Sequence, residues 1–119
     1  MTIEEFYQKV GGDYSNVIRR LPSIGLIKKY AAKFPEDRSF EELCLWLQEG
    51  KREEAFRAAA TLKEVCGNLG FTRLCQSLNK MTDLLEDPAE DIPEKAFVLL
   101  KDVRRDYEET VEAIGMYLT

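Results

Sequence analysis

The sequence predicts an all-α protein, an antiparallel four-helix bundle preceded by short N-terminal helices. Apolar residues recur at three- and four-residue spacing in successive segments, which is typical of amphipathic helices. Glycines, prolines and helix-capping residues separate these segments, and none of the segments alternates like a strand. With 119 residues, of which 45% are hydrophobic, the chain is predicted to form a single domain over residues 1–119.

Two short helices are predicted at the N-terminus. Thr2 and Glu5 have the spacing of a capping box, so a first helix is expected over about residues 3–10. The pair Gly11-Gly12 ends this helix, because glycine readily adopts the left-handed conformation that follows a helix. Asp13 is a favourable N-cap and predicts that a second short helix follows it directly.

A longer third helix is predicted after Ser23, another favourable N-cap. The preceding helix must stop at Leu21-Pro22, because the residue before a proline is disfavoured in the helical conformation. The third helix is expected to run to about Phe34. Its predicted apolar side consists of Ile24, Ile27, Tyr30, Ala31 and Phe34.

Four further helices are predicted in the rest of the chain. A second capping box, Ser39 with Glu42, predicts a fourth helix that ends near Gly50. Residues 51–69 and 72–85 are expected to form a tight helical hairpin. Pro93 suits the first turn of the final helix. The one apolar side of this helix is predicted to consist of Leu99, Leu100, Val103, Tyr107, Val111, Ile114 and Leu118.

The composition excludes several classes of function. The chain has no histidine, so histidine-based catalysis, metal binding and phosphorylation are excluded. Its net charge of -5 disfavours nucleic acid and anionic membranes as partners. Three cysteines without C-x-x-C spacing indicate free thiols, and no segment reads as a signal peptide or membrane span. We therefore expect a cytoplasmic protein without metal or cofactor.

Two groups of residues are expected to have only structural roles. The thiols at 44, 66 and 75 lie at apolar helical spacing, which is typical of buried structural cysteines. The charged residues of the last helix alternate in sign, which predicts a solvated face with helix ion pairs. These residues are Lys101, Asp102, Arg104, Arg105, Asp106, Glu108 and Glu109.

The helix over residues 51–69 carries an unexpected second stripe. Its core stripe contains Ala55, Ala59, Leu62, Cys66 and Leu69. Phe56, Ala60, Lys63 and Gly67 lie about a third of a turn away, with Glu64 beside them. A solvated face disfavours an aromatic residue and a mid-helix glycine, so this stripe predicts a surface that receives a partner. The alternative is that Phe56 is partly buried and that Gly67 only eases packing.

The segment Ala58–Glu64, followed by Gly67-Asn68-Leu69-Gly70 and Leu74, resembles the signature of histidine phosphotransfer (HPt) domains. That signature typically reads Ala-His-Thr-Leu-Lys-Gly, then a few small residues, then Asn-Leu-Gly. The resemblance covers most of the chain and implies an HPt-like four-helix bundle in a two-component phosphorelay. It further implies that the partner is a response-regulator receiver domain or a sensor histidine kinase.

The resemblance also implies roles for individual positions. Lys63 matches the lysine that stabilises the phosphoryl oxygens. Ala60 occupies the position of the phospho-accepting histidine, and Glu64 occupies that of a glycine. The chain as written is thus expected to have no catalytic residue, and not to be an enzyme. Its expected partner-binding residues are Phe56, Arg57, Ala60, Lys63, Glu64, Gly67 and Gln76.

Three functions follow from this resemblance. The first is a docking or sequestering module for a receiver domain, a pseudo-phosphotransferase. The second is a working phosphotransfer protein in which the histidine was replaced by Ala60. Glu64 counts against this second function, because its bulk and charge oppose a receiver's acidic pocket. The third is a helical bundle with no remaining signalling role.

Overall fold

The computed structural model describes residues 2–21, 23–88 and 91–118. In chain order the helices are α1 (Ile3–Lys9), α2 (Tyr14–Arg20), α3 (Ile24–Lys33), α4 (Ser39–Gln48), α5 (Arg52–Leu69), α6 (Thr72–Leu85) and α7 (Glu94–Tyr117). A 3-10 turn, Phe34–Glu36, follows α3, and the described ranges contain no strand. The all-α prediction is confirmed. Pro22, Ala89 and Glu90 lie outside the described residues.

Helices α4 to α7 form the predicted bundle. Short connections make α4 and α5, and then α5 and α6, antiparallel neighbours, and α7 packs on α6. The side chains of Phe40 on α4 and Tyr107 on α7 stack with ring centroids 4.3 Å apart, which closes the bundle. None of the described helices is both long and apolar enough to cross a membrane.

Helix α1 and the turn after it pack on the hairpin of α5 and α6. The buried Tyr7 hydroxyl donates to the Leu69 carbonyl at 2.6 Å, and burial raises the pKa of Tyr7. The Asp13 N–H donates to the Gly70 carbonyl at 2.8 Å. Gly70 has the predicted left-handed conformation, with φ +72°. The N-terminal segment is thus anchored at the turn where α5 ends.

Three of the four predicted N-caps form as expected. The Thr2–Glu5 capping box forms, and Asp13 and Ser23 each accept a backbone N–H three residues later. The predicted capping box of Ser39 and Glu42 is wrong. Ser39 is the first residue of α4 itself, and its N–H donates to the Asp37 carboxylate at 2.8 Å. The N-cap position is Arg38, and the carboxylate of Asp37 before it accepts the first N–H of this helix.

The predicted apolar side of α3 is too wide. Ile27 and Ala31 are buried together with Phe34, whereas Ile24 and Tyr30 are 47% and 46% exposed. This short helix contacts the bundle through one narrow edge, so residues at the margins of its apolar stripe face solvent. On α7, the predicted apolar side is buried at Val103 and Ile114, and its other members are half-buried.

The predicted solvated face of α7 is wrong at Asp106, which is only 2% exposed. Its carboxylate accepts the hydroxyl of Ser77 on α6 at 2.6 Å. The guanidinium groups of Arg73 and Arg105 lie 3.7 and 3.4 Å away. A buried carboxylate is stable only when it is hydrogen-bonded and charge-compensated, and both conditions hold here. Asp106 therefore joins α6 to α7.

Candidate functional site

The second stripe of α5 forms one face of the folded molecule. We define the α5 face as Phe56, Ala60, Lys63, Glu64 and Gly67. These residues recur at three- and four-residue spacing, so they lie in line along an 18-residue helix. The opposite side of α5 is buried, with Ala59, Leu62 and Cys66 inaccessible to solvent. Helix α5 is therefore fixed by its core side and presents this stripe outward.

The five residues of the α5 face differ in exposure. Glu64 is exposed, and Phe56 is half-buried with part of its ring packed against the core. Ala60, Lys63 and Gly67 are also half-buried. A Cβ atom added at Gly67 would meet no atom within 4 Å. Packing within the chain therefore does not require glycine at this position, and the space above it is open.

Lys63 is held in place by the neighbouring helix. Its ammonium donates to the Asn79 side-chain oxygen on α6 at 3.1 Å. Asn79 is absent from the sequence-based site, because only folding of the hairpin brings the two residues together. Lys63 lies one turn after Ala60, and this contact directs its ammonium toward α6.

A groove of about 470 Å³ runs between α5 and α6 beside this face. Lys63, Gly67 and Gln76 line it, so the structure brings these three predicted site residues together. Lys80 and Asn79 also line it, and the described residues around the groove include no carboxylate. Two ammonium groups and two amide side chains give the groove a positive, hydrogen-bonding character.

Arg57 lies apart from this groove. Its side chain is exposed and pairs with Glu53, one turn earlier on α5, at 2.5 Å. An exposed ion pair of this kind contributes little to stability, so Arg57 can exchange partners at low cost. The structure places Arg57 at the margin of the α5 face, while Gln76 lies in the groove on its other side.

Two of the three cysteines, Cys66 and Cys75, also line the groove. Cys66 is fully buried, and burial raises its pKa well above the ordinary value. The Cys75 thiol is half-buried and donates to the Lys63 carbonyl at 3.8 Å. Cys44, on α4, is half-buried as well, and burial raises its pKa too. A raised pKa keeps Cys44 and Cys66 protonated and unreactive, as expected of structural cysteines.

The family model of the Hpt domain matches residues 28–113. The chain belongs to the Hpt domain family. Members of this family carry phosphoryl groups in two-component phosphorelays, where they interact with receiver domains and kinases, and they are carriers rather than enzymes. The match spans α4, α5 and α6 in full and α7 as far as residue 113, and so includes the α5 face. No curated protein and no solved structure matches the chain.

Proposed function

We propose that this Hpt domain docks the receiver domain of a response regulator on its α5 face and sequesters it without accepting its phosphoryl group. In this proposal Ala60 stands where phosphotransferring members carry the histidine. A methyl group has no lone pair with which to attack phosphorus, so position 60 cannot act as a nucleophile. No other position can supply an imidazole, because the chain has no histidine.

The observation that carries the proposal is the positive groove between α5 and α6, whose lining includes Lys63, one turn after Ala60. A receiver domain is phosphorylated on an aspartate in an acidic pocket. The ammonium groups of Lys63 and Lys80 complement such a pocket, and no described carboxylate lines the groove to oppose it. The open space above Gly67 lets a partner's backbone approach α5 closely.

The apolar part of the contact comes from Phe56. Covering a phenylalanine side chain fully contributes about 1.5–3 kcal/mol, and the exposed part of this half-buried ring can contribute only a fraction of that. Glu64 is exposed on the same face and repels an acidic pocket. We therefore expect weak binding, with a dissociation constant of about 1 μM or higher.

Calorimetric titration with a panel of purified receiver domains tests this function. For a receiver that binds, Lys63→Glu is expected to weaken the affinity about tenfold, and Phe56→Ala about two- to fivefold, because only part of its ring is exposed. Glu64→Gly is expected to strengthen it, because this change removes the opposing charge. Lys101→Glu is the matched control for Lys63→Glu, since Lys101 is an exposed lysine on α7. Circular dichroism verifies that each variant keeps its helicity.

Two results contradict the proposal. In the first, no receiver domain binds, which leaves a helical bundle without this signalling role. In the second, a receiver binds, yet Phe56→Ala and Lys63→Glu change its affinity no more than Lys101→Glu does. The docking surface then lies elsewhere on the molecule.

A further inference from the structure

Helices α2 and α3 carry a concentrated positive charge. Residues 14–34 contain five basic residues and no acidic one. All five are exposed, and none of them pairs with a carboxylate among the described residues: Arg19, Arg20, Lys28, Lys29 and Lys33. Of the chain's 17 Lys and Arg, only 12 remain to face the 22 Asp and Glu elsewhere. A positive surface therefore lies on an otherwise strongly negative molecule.

The same surface exposes apolar side chains and contains a groove. Leu26 and Tyr30 are 37% and 46% exposed, one turn apart on α3. Beside them a groove of about 510 Å³ separates α3 from the C-terminal half of α5. Tyr30 and Val65 give it apolar walls, and Arg20 and Lys33 add positive charge to its lining. Asp37 contributes one carboxylate to the lining, and this carboxylate accepts the N–H of Ser39 at 2.8 Å, so the two cations outnumber it. This groove has room for a large apolar side chain flanked by carboxylates.

The groove adjoins the α5 face. The Arg20 guanidinium donates to the Gly67 carbonyl at 2.7 Å, which joins the end of α2 to that face. The next residue, Asn68, lines the groove beside α3. A protein partner of standard size covers about 800 Å² of one molecule. A partner seated over Gly67 therefore reaches both surfaces.

We propose that the surface formed by Arg20, Lys29, Tyr30 and Lys33 is a second recognition element for the docked receiver domain. It selects receivers that present an apolar side chain flanked by carboxylates next to their acidic pocket. This inference rests on the proposed function. The charge distribution supports it, because a positive surface on a negative molecule draws an acidic partner to this end of the bundle.

The shape of the surface favours a protein partner over a membrane. An apolar side chain can enter a concave groove between two helices, whereas a flat bilayer cannot follow its walls. The remaining residues also carry a formal charge of -10, by the counts above, and this charge opposes an extended anionic surface. A compact acidic segment experiences mainly the nearby cations, because salt screens charges beyond about 8 Å.

The test compares two double variants of equal charge change in titrations with a receiver that binds the unaltered chain. Lys29→Glu with Lys33→Glu is expected to weaken binding about tenfold at low salt, and the loss is expected to shrink at high salt. Lys95→Glu with Lys101→Glu, on exposed positions of α7, is expected to change the affinity less than twofold. Tyr30→Ser is expected to weaken binding at both salt concentrations, because its contribution is apolar.

The outcomes separate this inference from the proposed function. If the receiver binds but both double variants have equal affinity, the inference is overturned while the proposed function stands. If no receiver binds the unaltered chain, both are overturned. Vesicles of equal parts phosphatidylglycerol and phosphatidylcholine provide the last arm. Vesicle binding that Lys29→Glu with Lys33→Glu abolishes, without any change in receiver affinity, assigns the surface to a membrane and overturns the inference.

Discussion

The double variant Ala60→His with Glu64→Gly is expected to accept phosphate from a phosphorylated receiver, whereas the unaltered chain stays unlabelled. The new imidazole supplies the missing nucleophile: its nitrogen forms a bond to phosphorus while the bond to the receiver's aspartate oxygen breaks. Lys63 lies one turn along α5 from position 60, and its ammonium, which donates to Asn79 at 3.1 Å, can offset charge on the phosphoryl oxygens. Transfer of radioactive phosphate to the chain measures the effect.

Glu64 determines how much phosphoryl transfer the Ala60→His substitution alone can restore. Its exposed carboxylate lies one turn from position 60 and repels both the phosphoryl oxygens and an acidic pocket. We therefore expect little labelling of Ala60→His by itself. Ala60→Gln with Glu64→Gly is the control, because it removes the Glu64 side chain from the path of the receiver domain without supplying a nucleophile. If Ala60→His is labelled as fast as the double variant, this account of Glu64 is wrong.

Replacement of Gly70 is expected to destabilise the fold strongly. Gly70 has φ +72°, a conformation that costs other residues about 1–2 kcal/mol. An added Cβ would also lie 3.0 Å from the Asp13 carbonyl oxygen and 3.2 Å from Cβ of Val17. Crowding of this kind typically costs a further 1–3 kcal/mol. Chemical denaturation should show a loss of about 3 kcal/mol in the free energy of unfolding of Gly70→Ala.

Gly67→Ala is the matched control on the same helix. Its Cβ meets nothing within 4 Å, and alanine is favoured over glycine inside a helix by about 0.5–1 kcal/mol. Gly67→Ala should therefore raise the free energy of unfolding by about that amount. Equal losses for the two variants would show that the space above Gly67 is not open and would remove one support of the docking face.

Much of the fold was predictable because its signals are local. Glycine, proline and capping residues mark the helix ends, and the cap at Ser23 and the left-handed Gly70 formed as predicted. The wrong predictions concern residues whose burial depends on tertiary contacts. Tyr30 fits the apolar period of α3, yet the bundle covers only a narrower edge of that helix. In the sequence Asp106 does not differ from the other charged residues of α7, because its hydrogen bond with Ser77 of α6 forms only when the two helices pack together.

The candidate site likewise combines features that the sequence predicts with features that only tertiary contacts create. The stripe on α5 follows from helical spacing, and the sequence motif marks it without any structure. The contacts of Asn79 with Lys63 and of Arg20 with Gly67 join residues that are 16 and 47 positions apart. No spacing rule links such pairs, because the hairpin turn and the packing of α2 bring them together. The groove between α3 and α5 likewise exists only in the folded molecule.

The most direct test of the central claim is native gel filtration of a receiver that carries radioactive phosphate, on a column equilibrated with this Hpt domain at about 100 μM so that a complex of micromolar affinity persists. Denaturing electrophoresis of the complex fraction then shows which chain bears the label. The account predicts that the label elutes with the complex and remains on the receiver. Label on the Hpt domain, or elution of every tested receiver as the free protein, would contradict it.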